Sequence, residues 1–405
     1  MNSKLYFRVL GGVTVLILLW VAGCYNERKS PVSFQPVYDA RWIYGGAEDD
    51  TGESVITTDD GGYAVVGATS SFGAGDSDVY LLKIDAAGNL EWQRTFGGAA
   101  GDEGHTLIQT SDGGFVIAGK SKSVDDQPVP YIWVIRTDAS GKTVWKRLFE
   151  SGWGSHYTVV LTGEDGLVIG GSCYDDTVGY KASLIGMDLS GDVPWWEFYR
   201  GGDSASYTCH DVTVAPDGGF IITGTAHVWS DDRLCLLTLK TDHEGNLLWE
   251  RMSDTDRDFG VSIKCTSDDG FVVAGLCGGS TGYGYDICLT RFDADGYVVW
   301  RQVYGDEENN VGESVVCCPD GGYAITGYTT IPGEEAPDAF LIKTDAGGNM
   351  QWQQTYGGSM SDYGNDIACA PDGGYVITGA IGSYGTSYMK DVWLIKTDDS
   401  GVQQE

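Results

Sequence analysis

Ten residues ahead of a recurring aromatic, the chain carries side chains able to do chemistry: Glu53, His105, Tyr157, His210, Val261, Glu313 and Asn365. Three of the five histidines, His105, His156 and His210, fall at or beside these points. Imidazole and carboxylate groups brought together can bind a metal ion or act on a substrate. Only a fold that returns the chain repeatedly to one axis can unite residues so far apart in sequence. Two readings stay open, a metal or substrate site and a polar, water-filled opening. His156 has the wrong alternation to join the other two histidines.

A second set is aromatic: Phe72, Tyr174, Trp229, Tyr283, Tyr285, Tyr384 and Tyr388. These lie in segments that vary along the chain, among acids such as Asp125, Asp126, Asp231, Asp232, Glu334 and Glu335. Aromatic faces with carboxylates and few cations suit sugar rings or a protein partner with a basic patch. Packing inside the loops is the alternative.

The one metal ion the sequence leaves open is Ca2+. A calcium loop can be tried on Asp254-Thr255-Asp256-Arg257-Asp258-Phe259-Gly260, but its glycine comes one place late and its twelfth position is Cys265. An ordinary acidic loop fits better, and no cofactor is expected. Dinucleotide, H-E-x-x-H and C-x-x-C patterns are absent. Beyond Cys24 there are nine cysteines. Cys265, Cys317 and Cys369 share one repeat position and Cys173 and Cys277 another, which reads as small core residues. Disulfides are permitted in an exported chain, but their pairing cannot be deduced from spacing.

The elements that must position these residues come from one unit repeated seven times. An aromatic or leucine with glycine four residues on recurs as Tyr63/Gly67, Phe115/Gly119, Leu167/Gly171, Phe220/Gly224, Phe271/Gly275, Tyr323/Gly327 and Tyr375/Gly379, at spacings of 51 to 53 residues. The first unit reads as four strands over 54–58, 63–69, 79–84 and 90–96, with β-branched and aromatic residues between turn formers. Asp60-Gly61-Gly62 and Asp85-Ala86-Ala87-Gly88 supply the tight turns. Every copy has an aspartate after the third strand with glycine three residues on, and six copies add tryptophan four residues later, from Trp92 to Trp352. Residues present in every copy build the repeat and are no candidates for catalysis.

This pattern predicts an all-β chain, a seven-bladed β-propeller of four-stranded antiparallel blades over 37–405. The seventh unit stops before its fourth strand, and residues 37–44, which precede Gly45-Gly46, match the missing piece. The N-terminal strand is therefore expected to close the ring, leaving no open edge and favouring a monomer. The short turns fall on one face and the variable connections on the other, where function is expected.

The D-G-G-[YF]-x-[VI]-x-G, D-x-x-G-N-x-x-W and [FY]-G-G motifs resemble the D-G-G-Y propeller repeats of many bacterial exported proteins. The resemblance covers almost the whole mature chain and implies fold and export. Members of that group mostly lack a defined activity, and some carry an endoglucanase label by similarity. The D-x-x-G part also resembles, more distantly, the tryptophan-docking repeats of quinoprotein dehydrogenases and of the propeller lipoprotein of outer-membrane barrel assembly. Here, however, the glycine and tryptophan each come one residue earlier.

Residues 1–23 read as a lipoprotein signal peptide: Lys4 and Arg8 precede a short apolar core that ends in Val21-Ala22-Gly23-Cys24. Cys24 is the expected lipidation site and 24–36 a lipidated terminus and tether. Tyr25, where an aspartate would retain the protein at an inner membrane, favours the outer membrane in a Gram-negative cell. With 58 acidic against 25 basic residues the formal charge is −33, which repels nucleic acid and anionic lipid. Contact with the membrane is expected through the acyl anchor alone. The partner expected is an envelope protein or glycan, recognised without catalysis by the loop face. A glycan-acting enzyme is the alternative, and a quinone-dependent oxidoreductase a weaker one.

Overall fold

The computed structural model describes residues 42–404, apart from 124–129, 151–156, 164–165, 176–178, 203, 279–283, 306–308, 331–335 and 383–388. Residues 1–41, with the signal peptide, Cys24 and most of the closing segment, lie outside the described residues.

The chain forms seven four-stranded antiparallel sheets, each a blade. In blade 1 the strands are Asp50–Thr57, Tyr63–Thr69, Asp78–Ile84 and Leu90–Phe96, here called a to d from the axis outward. The other innermost strands are Asp102–Gln109, Tyr157–Leu161, Ala205–Val214, Phe259–Cys265, Asn310–Cys317 and Asp362–Cys369. Each packs against the innermost strand of both neighbours, and Asp50–Thr57 meets Asp362–Cys369 to complete the circle. Strands b and c are almost wholly buried, whereas strand d alternates towards solvent. Their apolar side chains interleave between blades; Val66, Leu81, Phe115 and Ile117, for example, share one cluster.

The recurrent residues do structural work. The D-G-G turn is closed by Thr58 N–H to Gly62 O at 2.9 Å, with Gly61 at a φ of 83°. Its aspartate takes a cation from strand c of the same blade, as in Lys83–Asp60 at 2.9 Å and Lys343–Asp320 at 2.7 Å. The tryptophan of one blade lies over the turn glycine of the next: Trp92 covers Gly141, and Trp352 covers Gly401. Only glycine leaves room there, and its φ is positive. The strand-d tyrosine adds a hydrogen bond, Tyr199 OH to Gly245 O at 2.6 Å and Tyr356 OH to Gly401 O at 2.7 Å.

The ring is closed by the front of the chain. Ile43–Tyr44 pairs antiparallel with Asp391–Lys396 in blade 7, in the register Ile43↔Trp393 and Tyr44↔Val392. Tyr44 OH donates to Gly88 O of blade 1 at 2.7 Å, the same bond that joins other blades. Trp42, two residues nearer the glycine pair than a strand-d tryptophan, still covers Gly88.

Strand a begins at Asp50 rather than Ser54 as the sequence pattern suggests. Its pairing with strand b steps from Gly52 to Ser54, so one extra residue breaks the alternation. Cys277 also departs from expectation. It is disulfide-bonded to Cys288 across neighbouring strands, with Cα atoms 5.8 Å apart. Its repeat equivalent Cys173 is a free thiol beside Ser183.

Candidate functional site

The step in strand a recurs in six blades, between Gly52/Ser54, Gly104/Thr106, Cys209/Asp211, Gly260/Ser262, Gly312/Ser314 and Gly364/Asp366. The residues skipped are Glu53, His105, His210, Val261, Glu313 and Asn365. A β-bulge re-aims the side chain of its extra residue, and here all six line one cavity of about 1180 Å³ on the ring axis. Blade 3 lacks the step, since Tyr157 pairs directly with Gly171. Tyr157 touches the cavity but is buried, its ring stacked on His105 at 5.6 Å. The bulges sit near the start of strand a, so this end of the channel opens on the face that carries the variable connections. His156 lies outside the described residues.

The mouth is electrically uneven. Burial pushes the Glu313 carboxyl up to about 7, and the Glu53 carboxylate adds to the shift. Burial raises Glu53 as well, partly offset by His105. Asn365 donates its amide to Gly52 O at 2.9 Å. Blades 6, 7 and 1 therefore present carboxyl, amide and carboxyl groups in one arc. Across the mouth, His210 bonds Gly260 O through Nδ1 at 2.8 Å and Thr208 Oγ1 through Nε2 at 3.2 Å. Burial lowers its pKa, against the Gly260 O bond and Asp211, which act to raise it. Glu103 is held well below the usual carboxylate range, to about 2; burial opposes this, and His105 and Lys120 outweigh it.

Below the mouth lies a ring that the sequence reading passed over: Ser54, Thr106, Thr158, Asp211, Ser262, Ser314 and Asp366. Asp366 accepts from Ser54 Oγ at 2.9 Å and Ser314 Oγ at 2.7 Å, so it ties blade 7 to both neighbours. Asp211 does the same for blade 4, accepting from Thr158 Oγ1 at 3.0 Å and from Ile263 N–H at 2.9 Å. Lys264 reaches Asp211 at 3.4 Å. Burial works against its charge, but Asp211 and Asp366 outweigh it and raise its pKa. The signal was available: the residue after each of the six skipped positions, and after Tyr157 in blade 3, is a hydroxyl or an aspartate. At the far end, thiols step around the axis, Cys265 to Val214 O at 3.3 Å, Cys317 to Cys265 O at 3.5 Å and Cys369 to Cys317 O at 3.8 Å. Cys317 and Cys318 are free thiols.

The aromatic set scatters. Tyr174 and Trp229 are exposed. Phe72 packs on Tyr80 at 5.7 Å and joins the core of blades 7 and 1. It is not free at the surface, because its loop folds back through Thr69 Oγ1, which accepts from Phe72 N–H at 3.1 Å. Tyr285 lies under the Arg257 guanidinium at 4.8 Å and against Phe259. Tyr283, Tyr384 and Tyr388 lie outside the described residues. In the acidic loop, Asp258 is buried and held at both oxygens by Arg301, at 2.6 and 2.8 Å, while Asp256 accepts from Leu234 N–H at 3.0 Å.

No protein-family model and no curated protein sequence matches the chain. Solved structures do. Puromycin hydrolase aligns with 92% of this chain at a TM-score of 0.56 and 13% identity, and the chain spans 57% of its length. A polysaccharide lyase of family PL25, an ulvan lyase, aligns with 91% at 0.56 and 10% identity, over 98% of its own chain. The BP39L lectin of Burkholderia pseudomallei aligns with 89% at 0.55 and 6% identity, over 99% of its own chain. At these identities the likeness is one of fold, and it places the chain among β-propeller proteins.

Proposed function

We propose that the protein is a lipid-anchored propeller of the cell envelope that binds an envelope protein or glycan at its loop-bearing face, with the channel mouth at the centre of the binding surface. One observation carries this reading. Six strand bulges, each of which disturbs the pairing of its blade, send Glu53, His105, His210, Val261, Glu313 and Asn365 into a single cavity. Propeller neighbours that include a lectin and a polysaccharide lyase agree with a binding or glycan role. Capture of envelope proteins and glycans by the mature chain tests the proposal. Loss of the captured ligand on Glu53→Gln with Asn365→Ala supports it, and unchanged capture by that variant and by Trp229→Ala defeats it.

A glycan-acting enzyme is the second reading. Glu313 is half-protonated near neutral pH with a second carboxyl, Glu53, in the same cavity, the pairing that general acid–base cleavage of glycosides uses. Release of reducing ends from envelope glycans, abolished by Glu313→Gln, would move the conclusion to this reading. The quinone alternative gains nothing from a cavity lined by Glu53, Asp211, Glu313 and Asp366.

A further inference from the structure

Three thiols share one repeat position on the channel wall, and the repeat gives each of them the same surroundings. Cys265, Cys317 and Cys369 end strand a in blades 5, 6 and 7. Each sulfur points back to the blade before it: Cys265 Sγ lies 3.3 Å from Val214 O, Cys317 Sγ 3.5 Å from Cys265 O and Cys369 Sγ 3.8 Å from Cys317 O. Each of these carbonyls belongs to the peptide bond that leads into the a–b turn, so the thiol stands beside the first residue of that turn. Beside Cys265 that residue is Ala215, and beside Cys317 it is Thr266. Beside Cys369 it is Cys318, where the other six copies have threonine or alanine.

Cys318 is buried in the apolar cluster between blades 6 and 7, and Cys369 packs against that cluster from the channel side. Cys318 Sγ lies 3.6 Å from Tyr375 OH, and Tyr375 is the strand-b partner of Cys369. The Cys318 thiol donates to the Cys369 sulfur. That bond draws the Cys369 thiol below its ordinary value; burial, Cys317 and Asp320 oppose it, and Lys343 helps. The same bond, together with burial, pushes Cys318 up. Cys369, half-buried on the channel wall, is therefore the more readily ionised of the two. The thiolate is the attacking species in disulfide exchange.

We propose that Cys369 and Cys318 are a dithiol pair that exchanges with a small disulfide entering the channel and closes into a bond that staples blade 6 to blade 7. The Cys369 thiolate attacks one sulfur of the incoming disulfide and expels the other half as a thiolate. Cys318 then attacks the Cys369 sulfur of the mixed disulfide, and its proton passes to the thiolate already expelled. The second half leaves as a thiolate and takes up the proton that Cys369 gave to solvent. Two electrons pass from the pair to the small disulfide, which is the oxidant. Cys317 is turned to Cys265 O and takes no part. An exported chain, the location proposed above, meets such disulfides, although the exchange itself does not depend on location.

Incubation of the reduced mature chain with oxidised glutathione, then alkylation of the remaining thiols and peptide mapping without reductant, tests this. A Cys318–Cys369 link is expected, with Cys265 and Cys317 alkylated. Cys318→Ser should stop at a glutathione adduct on Cys369. The rise in melting temperature on oxidation should be larger in the wild type than in Cys318→Ser by roughly 5 °C; the Cys277–Cys288 link, common to both, cancels from this comparison. Alkylated Cys318 and Cys369 in the wild type, or a link from either to Cys317, overturn the proposal. A Cys318–Cys369 link that leaves the two rises equal overturns the staple. If the variant does not fold, the wild-type map decides alone.

Discussion

Replacing Glu313 by glutamine should make the protein more stable, and increasingly so as the pH rises. In the folded state burial, with Glu53 adding to it, holds this carboxyl at about 7, against 4.5 for a free glutamate. The folded chain therefore binds more protons than the unfolded chain between these values, and stability falls with pH across that window. Below pH 4.5 both states are protonated and the penalty is absent; above 7 it is complete. The difference corresponds to at most about 3 kcal/mol at 1.36 kcal/mol per pKa unit. Water in the channel and relaxation of the side chain reduce it to about 1–3 kcal/mol. With an unfolding entropy near 2.1 cal/mol/K per residue over about 360 residues, that is a rise in Tm of roughly 1.5–4 °C for the variant at pH 8. Urea unfolding and thermal melting of both proteins at pH 5, 6, 7 and 8 measure the gap. It should be smallest at pH 5, about a quarter of its full size, and open steadily to pH 8. A gap that stays flat across this range, or opens towards acid, would refute the claim that the mouth carries a buried, strained carboxyl.

Other consequences are as direct. Tyr44→Phe removes the bond to Gly88 O across the seam and should cost about 1 kcal/mol in denaturant midpoint, with no change in fold by circular dichroism. Arg301→Met strands the buried Asp258 carboxylate and should destabilise by about 3 kcal/mol; Asp258→Asn placed on top should recover part of that loss. Asp366→Ala leaves the Ser54 and Ser314 hydroxyls and the Val55 N–H without their acceptor. A loss of about 2–3 kcal/mol is expected, with Asp366→Asn milder.

Much of the fold is legible because a repeat states each contact many times. Trp92 through Trp352, the turn aspartates and the turn glycines recur at fixed offsets, so spacing alone marks them as framework. The ring at the channel mouth was legible for the same reason: one offset from the aromatic mark names Glu53, His105, His210, Glu313 and Asn365. The bulge was hidden, since an extra residue breaks the very alternation by which a strand is recognised. Phe72 misled for another reason. An aromatic in a glycine-rich segment reads as exposed, yet Thr69 turns the loop back on to Tyr80. The Cys277–Cys288 link depends on strand register, which neither cysteine position reveals.

The pairing of Ile43 with Trp393 sets a schedule for making the protein. A ribosome releases the closing strand ahead of the seven blades and its partner only with the last of them, so that strand must wait while the whole ring is made. Until then the growing arc exposes two unfinished flanks, an invitation to chaperones and to stray strands from other chains. The join itself is cheap in loop entropy relative to its length, but it is available to no truncated product. Cells that make this chain thus have a built-in check on completeness: a ring that locks only when every segment has arrived.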